Sequence, residues 1–174
     1  MAFKVVFGIT PKLARQLLNF SKNDSQIIRH TSDKKRFKNI KSFEKWSSKD
    51  RTIYTLVDKN GDLSGLIWFG KKSIPAKKFT KDVESKDYGF TFAIRTYGAA
   101  RGKGYAVGFM KKAYKLFTSS TPYKMAKDKG VWLVTSYDNI PAIKIYKKFG
   151  FVDATRPDKK AKLIMILPSL KKVM

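Results

Sequence analysis

Between an alternating apolar run and an amphipathic one, the sequence sets Tyr97-Gly98-Ala99-Ala100-Arg101-Gly102-Lys103-Gly104-Tyr105-Ala106, a basic glycine-rich turn. The turn constrains the chain on both sides, because a strand must deliver it and a helix must leave it. Upstream, Phe90, Phe92 and Ile94 alternate with Thr91, Ala93 and Arg95, the period of a strand. Downstream, Ala106, Met110, Ala113 and Phe117 recur at helical spacing, with Lys111, Lys112 and Lys115 turned outward. Glycine lacks a Cβ, so such a backbone can close on an oxyanion, and the N–H groups of a helix's first turn then point at it. The stretch reads as a phosphate cradle or as a plain strand-to-helix connection. Its spelling argues against two other phosphate loops. A Walker A loop needs four residues between its glycines and Ser or Thr after its lysine, whereas Gly98 to Gly102 encloses three and Gly104 follows Lys103. The dinucleotide fingerprint has its third glycine three places after the second, where this chain has Val107 and puts Gly108 one late.

The remaining elements follow from local patterns. Phe3 to Ile9 reads as a first strand, and Thr10-Pro11 starts a helix carrying Leu13, Leu17 and Leu18 that fades near Phe20 to Asn23. After Ser32-Asp33 a second helical pattern puts Phe37, Ile40 and Phe43 inside and Lys34, Lys35, Lys38, Lys41 and Lys45 outside. Thr52–Val57 and Leu63–Phe69 flank Lys59-Asn60-Gly61-Asp62, a hairpin. Lys71 to Lys86 reads as a long polar loop. Thr121-Pro122 marks the exit of the helix after the glycine turn. Val131 to Val134 is apolar without alternation, as in a central strand covered on both faces. Asn139 is placed to cap a helix that stops at Gly150, with Asn139, Ala142 and Tyr146 on one face, and Lys162 to Leu167 forms a last strand before a basic Lys171-Lys172 tail. There is no repeat, linker or second domain, so residues 1–174 read as one domain.

Composition limits the chemistry. There is no cysteine, which removes disulfides and thiolate sites, and the single histidine, His30, reads as a solvated loop residue; no metal is expected. No window is apolar enough to span a membrane, and the reading is a soluble, cytoplasmic protein. Against 13 acidic residues stand 38 Lys and Arg, a formal charge of +25. Such a field favours anionic partners, nucleic acid or a ribosome among them, or is a lysine-rich surface style with no partner at all.

Two motifs in order give more than either alone. Arg101-Gly102-Lys103-Gly104-Tyr105-Ala106 matches an Arg/Gln-x-x-Gly-x-Gly/Ala loop, and Asn139-x-x-Ala142-x-x-x-Tyr146-x-x-x-Gly150-Phe151 matches a second signature ahead of a terminal strand. Together they resemble the GNAT superfamily of acetyl-CoA-dependent N-acetyltransferases over roughly Phe90 to Phe151. The resemblance implies an α/β (α+β) fold with a mixed, mostly antiparallel central sheet flanked by helices and a splayed pair of central strands. It implies acetyl-CoA as acetyl donor, its pyrophosphate on the amides of Arg101, Gly102, Lys103, Gly104, Tyr105 and Ala106, and its pantetheine arm along Ile94, Arg95 and Thr96. For Lys103, side-chain contact and a backbone role alone stand equally open. Asn139 would approach the same arm and Tyr146 the thioester sulfur, the plain alternative for Tyr146 being a core aromatic. The acceptor is an unidentified primary amine whose lone pair needs a base or a water path to expose it, Glu84 and Asp87 being the candidates, and the oligomeric state is open, a homodimer included. The charge motivates two alternatives: a basic RNA- or ribosome-associated binding module on the same fold, or an acetylase of an RNA-linked amine such as aminoacyl-tRNA.

Overall fold

The computed structural model describes residues 3–75, 79, 83–125 and 129–169. Seven strands, β1 (Lys4–Phe7), β2 (Arg51–Val57), β3 (Leu63–Lys71), β4 (Tyr88–Thr96), β5 (Gly130–Ser136), β6 (Val152–Asp153) and β7 (Lys162–Leu167), lie in the order β1-β2-β3-β4-β5-β7-β6. The helices are α1 (Pro11–Asn23), α2 (Ser25–His30), α3 (Asp33–Arg36), α4 (Ile40–Ser47), α5 (Tyr105–Thr118), α6 (Thr121–Met125) and α7 (Ile140–Phe149). The sheet is mixed and mostly antiparallel, as the resemblance implied. β1 with β2, β5 with β7 and β6 with β7 are antiparallel, while β4 with β5 is parallel.

The β4–β5 register covers Tyr88↔Gly130 to Thr91↔Trp132, yet β4 runs on to Thr96 and β5 to Ser136. The described pairing ends before either strand does. β5 keeps its antiparallel partner β7 all the way, from Val131↔Leu167 to Ser136↔Lys162.

The chain divides into two compact units, Met1–Trp68 with Ile94–Ala113 and Phe69–Ala93 with Tyr114–Met174. In the first, Thr10 caps α1 through its side chain and Pro11 occupies the first turn, burying Leu13 and Leu17. The second helical pattern is two helices, because the Asn39 carboxamide accepts from the Ser42 N–H at 2.9 Å and starts α4 afresh. This resets the phase: Phe43 and Trp46 turn inward beside Phe37, while Ile40, expected inside, is 40% exposed. His30 ends α2 instead of lying in a loop. The hairpin turn forms as expected, with Gly61 at φ +75° and its N–H on the Asp58 carbonyl at 3.0 Å.

In the second unit Phe69 stacks on Phe117 with centroids 3.9 Å apart, and Phe92 meets Phe151 at 5.6 Å. The segment after β3 is tied down where it is described: Lys72 O accepts from the Trp132 indole at 2.8 Å and Ile74 is buried against Tyr88 and Trp132. Residues 76–78 and 80–82 of the expected loop, and the Lys171-Lys172 tail, lie outside the described residues. Val134, expected to be covered, is 50% exposed and takes no part in the cluster that buries Trp132 and Ile164. Thr121-Pro122 opens the short α6 as well as marking the exit of α5.

At Gly130 the sheet leaves no room for a side chain. A Cβ there would stand 2.7 Å from Leu167 O and 2.7 Å from the Tyr88 ring. Gly130→Ala is expected to cost about 2 kcal/mol through this overpacking, read as a lower urea midpoint at unchanged slope.

Candidate functional site

The end of β4 is positioned by its neighbour. Tyr97 N–H donates to Ser64 O at 2.9 Å, and Arg95 O lies 3.1 Å from where a Cβ of Gly65 would be, so both turn their peptide groups toward β3. By alternation Ile94 and Thr96 turn theirs to the opposite edge. Two arginines already occupy the carbonyls there: Arg95 Nη1 donates to Ile94 O at 2.9 Å, and Arg101 Nη2 to Thr96 O at 2.9 Å. What this edge offers a ligand is therefore mainly N–H, suited to a carbonyl oxygen.

Each arginine is held by an aspartate. Arg101 Nη2 lies 2.6 Å from Asp24, whose carboxylate also caps α2 through the Gln26 and Ile27 N–H groups. Partial burial works against ionisation of Asp24, but the Arg101 hydrogen bond and these amides win and hold its carboxyl below the ordinary value. Arg95 grips Asp33, with Nε to Oδ2 at 2.7 Å and Nη2 to Oδ1 at 3.2 Å. Asp33 is fully buried and also takes Arg36 Nη1 at 2.6 Å. The Arg95 guanidinium lies 4.9 Å from the centroid of Trp68. Between the two pairs Tyr97 is fully buried, stacks on Phe20 at 4.5 Å and, among the described residues, makes no hydrogen bond through its hydroxyl. Burial pushes that phenol far up.

Then comes the glycine turn. Gly102 and Gly104 adopt φ +75° and +78°, and nothing lies within 4 Å of where a Cβ would be on either. Left-handed backbone with open space above it, ahead of the 14-residue α5, suits an anion seated on amides. Lys103 is exposed beside it; Tyr105 packs edge-on against Phe3 at 4.3 Å, and Ala106 is half-buried in the first turn of α5. Arg101, whose amide opens the loop, directs its guanidinium to Asp24 and the Thr96 carbonyl.

In the second unit Asn139 stands at the N-cap position of α7, but its side chain caps nothing. The expected capping bond is absent, with Asn139 at φ −83° and ψ +60°. Gly150, at φ +119°, ends the helix as expected and donates to the Tyr146 and Lys147 carbonyls. Tyr146 is buried, its ring edge-on to Phe92 at 6.4 Å and close to Phe151 at 5.9 Å. Of the candidate bases, Glu84 is exposed and lies 3.6 Å from Lys86, and Asp87 closes a single turn before β4.

Sequence reasoning missed the aspartates. Asp24 and Asp33 find their arginines 77 and 62 residues away, beyond any local pattern. One signal was available. Of the 38 basic residues, counting along the chain, only seven are arginine, and four of those (Arg36, Arg51, Arg95, Arg101) are committed here to carboxylates, carbonyls or tryptophan faces.

Among the described residues no helix is long and apolar enough to cross a membrane, and no cluster of His, Cys, Asp or Glu could hold a metal ion. Compared with known families, the chain matches the acetyltransferase (GNAT) family over residues 14–151. No curated protein matches by sequence. Among solved structures it is similar to spermidine N-acetyltransferase from Vibrio cholerae in complex with CoA and spermine, at 14% identity and a TM-score of 0.69, covering 99% of this chain and 98% of that one. It is also similar to a domain from Methanocaldococcus jannaschii, at 14% identity and a TM-score of 0.65, covering 97% of this chain and 100% of that one.

Proposed function

From the premise that the chain belongs to the acetyltransferase (GNAT) family and is an acyltransferase, we propose that it moves an acetyl group from acetyl-CoA directly to the primary amine of an acceptor. The observation that carries this is the pair of left-handed glycines under open space at the start of α5. Arg101 to Ala106 hold the pyrophosphate on backbone amides, with Lys103 beside it. Ile94 and Thr96 present N–H groups to the pantetheine and acetyl carbonyls, and Arg95 keeps the Ile94 carbonyl turned away from them. Asn139, whose carboxamide caps nothing, serves the same arm.

Acetyl-CoA, when bound, supplies an acyl carbon activated by its thioester. The acceptor nitrogen bonds to that carbon as the C–S bond breaks, the amine proton passes to a base, and the sulfur takes up a proton. Tyr146 is the donor to sulfur. Its hydroxyl acts first as a hydrogen-bond donor, because a reference phenol near 10 protonating a thiolate near 8.5 is uphill by about 2 kcal/mol. Tyr146→Phe is expected to lower kcat/KM about a hundredfold, the range of a single acid or hydrogen-bond donor, while the Kd for acetyl-CoA changes less than threefold. Calorimetry and a thiol-release assay over an amine panel check both. A wild-type protein that binds no acetyl-CoA would overturn the proposal.

A further inference from the structure

Asp24 divides its carboxylate between two tasks. Oδ1 caps α2, accepting from the Gln26 N–H at 3.0 Å and the Ile27 N–H at 3.2 Å. Oδ2 takes Arg101 Nη2 at 2.6 Å. The Asp24 side chain is only 10% exposed, so water competes little for it, and a charge-assisted bond this short fixes both ends. The same Nη2 of Arg101 donates to Thr96 O at 2.9 Å, closing a ring from the end of β4 across Tyr97 to the glycine turn.

The backbone inside that ring is pinned as well. Tyr97 N–H donates to Ser64 O at 2.9 Å, Ala100 N–H to Tyr97 O at 3.0 Å and Arg101 N–H to Gly98 O at 3.2 Å. Beyond Arg101 the pinning stops. Among the described residues the N–H groups of Gly102, Lys103 and Gly104 find no acceptor, and both glycines are in left-handed backbone. Glycine has the widest choice of φ and ψ of any residue, so this stretch does not hold its own path. Its free amides can face one anion together only if the residue ahead of them is fixed. That residue is Arg101.

Arg101 is poorly placed to act on an anion by charge. Asp24 matches its charge, so the pair offers an incoming phosphate little net attraction, and the Arg101 N–H is shared with Gly98 O. With Thr96 O engaged by the same guanidinium, the strand edge presents its N–H to the pantetheine arm without a competing carbonyl.

Resting on the transferase reading, we propose that Arg101 is a positioning residue for the acyl donor: with Asp24 it forms a strut from the N-cap of α2 to the end of β4 that sets the path of the glycine turn. Acetyl-CoA affinity then depends on a carboxylate 77 residues upstream of Arg101.

The test measures Kd for acetyl-CoA by calorimetry, and kcat and KM by thiol release with the amine of the panel that turns over fastest, spermidine included. Asp24→Asn keeps an oxygen for the two α2 amides and sets an NH2 against Arg101, so it breaks the strut and spares the cap. It is expected to raise Kd and KM for acetyl-CoA about tenfold, with kcat changed less than about twofold. Arg101→Met is expected to do the same, and the double variant to bind no more weakly than either single one, as the two ends of one contact behave. Direct contact between the guanidinium and the pyrophosphate predicts the reverse for Asp24→Asn, because a guanidinium released from its carboxylate would bind the anion more tightly. Asp24→Asn with acetyl-CoA affinity equal to or above that of the wild type overturns the strut. So does a double variant whose loss is the product of the two single losses, or a fall in kcat with KM unchanged. Asp24→Ser, which retains a capping oxygen and has no second one, takes its place if Asp24→Asn does not fold. Wild-type protein that binds no acetyl-CoA overturns the transferase reading and the strut with it, whereas the variant outcomes overturn the strut alone.

Discussion

Asp33→Asn is expected to be the most destabilising single-atom-scale change in this chain, lowering stability by about 3–5 kcal/mol, the cost of breaking a buried ion pair on one side. The carboxamide keeps the shape of the side chain but not its charge, so Arg95 and Arg36 would face each other across a neutral group. Both oxygens now accept from Arg95 and one also accepts from Arg36, and a carboxamide nitrogen in either place would oppose a guanidinium donor. At this chain length the loss corresponds to a fall in Tm of about 10 °C. Lys147→Gln provides the contrast. It removes a 2.8 Å pair with Asp153 whose side chains are 53% and 39% exposed, and no measurable shift is expected. Thermal and urea unfolding of the two variants check this, and a shift for Asp33→Asn as small as that for Lys147→Gln would mean that the triad is not a structural pivot. Arg95→Lys is expected to recover little, since an ammonium cannot bridge Asp33 and Ile94 O together.

The contrast between those aspartates and the glycine turn shows what a sequence discloses. Arg101 to Ala106 and Asn139 to Phe151 are contiguous spellings, each carrying its own backbone requirement, and both fall on the strand-to-helix junction and the helix they were read to serve. The hairpin around Gly61 and the start at Thr10-Pro11 were legible for the same reason: their determinants lie within four residues. α2 and α6, at six and five residues, are too short for apolar periodicity to reveal. The helix after Asp33 was misread at Ile40 because one carboxamide, Asn39, restarts the helical phase, and periodicity assumes a single phase. Asp33 itself was read only as the start of a lysine-rich face, yet it is the partner of a strand residue far along the chain. Side-chain pairing at long range leaves no local trace, except that arginine persists at 36, 51, 95 and 101 in a chain that otherwise favours lysine.

The second large effect separates ligand binding from folding. Gly104 sits at φ +78° with nothing within 4 Å of a Cβ, so Gly104→Val meets no clash and acts through the backbone alone. A β-branched residue is a poor occupant of left-handed backbone, costing roughly 1–2 kcal/mol, and the turn relieves that strain by moving its peptide planes. The N–H groups proposed to hold the pyrophosphate would then point apart. Losing one or two charge-assisted hydrogen bonds of about 1.5–3 kcal/mol each should raise the Kd for acetyl-CoA at least a hundredfold. The fall in Tm should stay within about 5 °C, as the turn is exposed. Gly61→Val supplies the control, because Gly61 carries φ +75° and equally open surroundings in the β2–β3 turn. The two variants bear the same backbone strain and differ only in where it falls. If calorimetry returned equal affinities for acetyl-CoA in both, the loop ahead of α5 would be a connection and not a cradle. A large loss confined to Gly104→Val would tie the anion to the amides of this turn, because the side chain of Arg101 is engaged with Asp24 in either case.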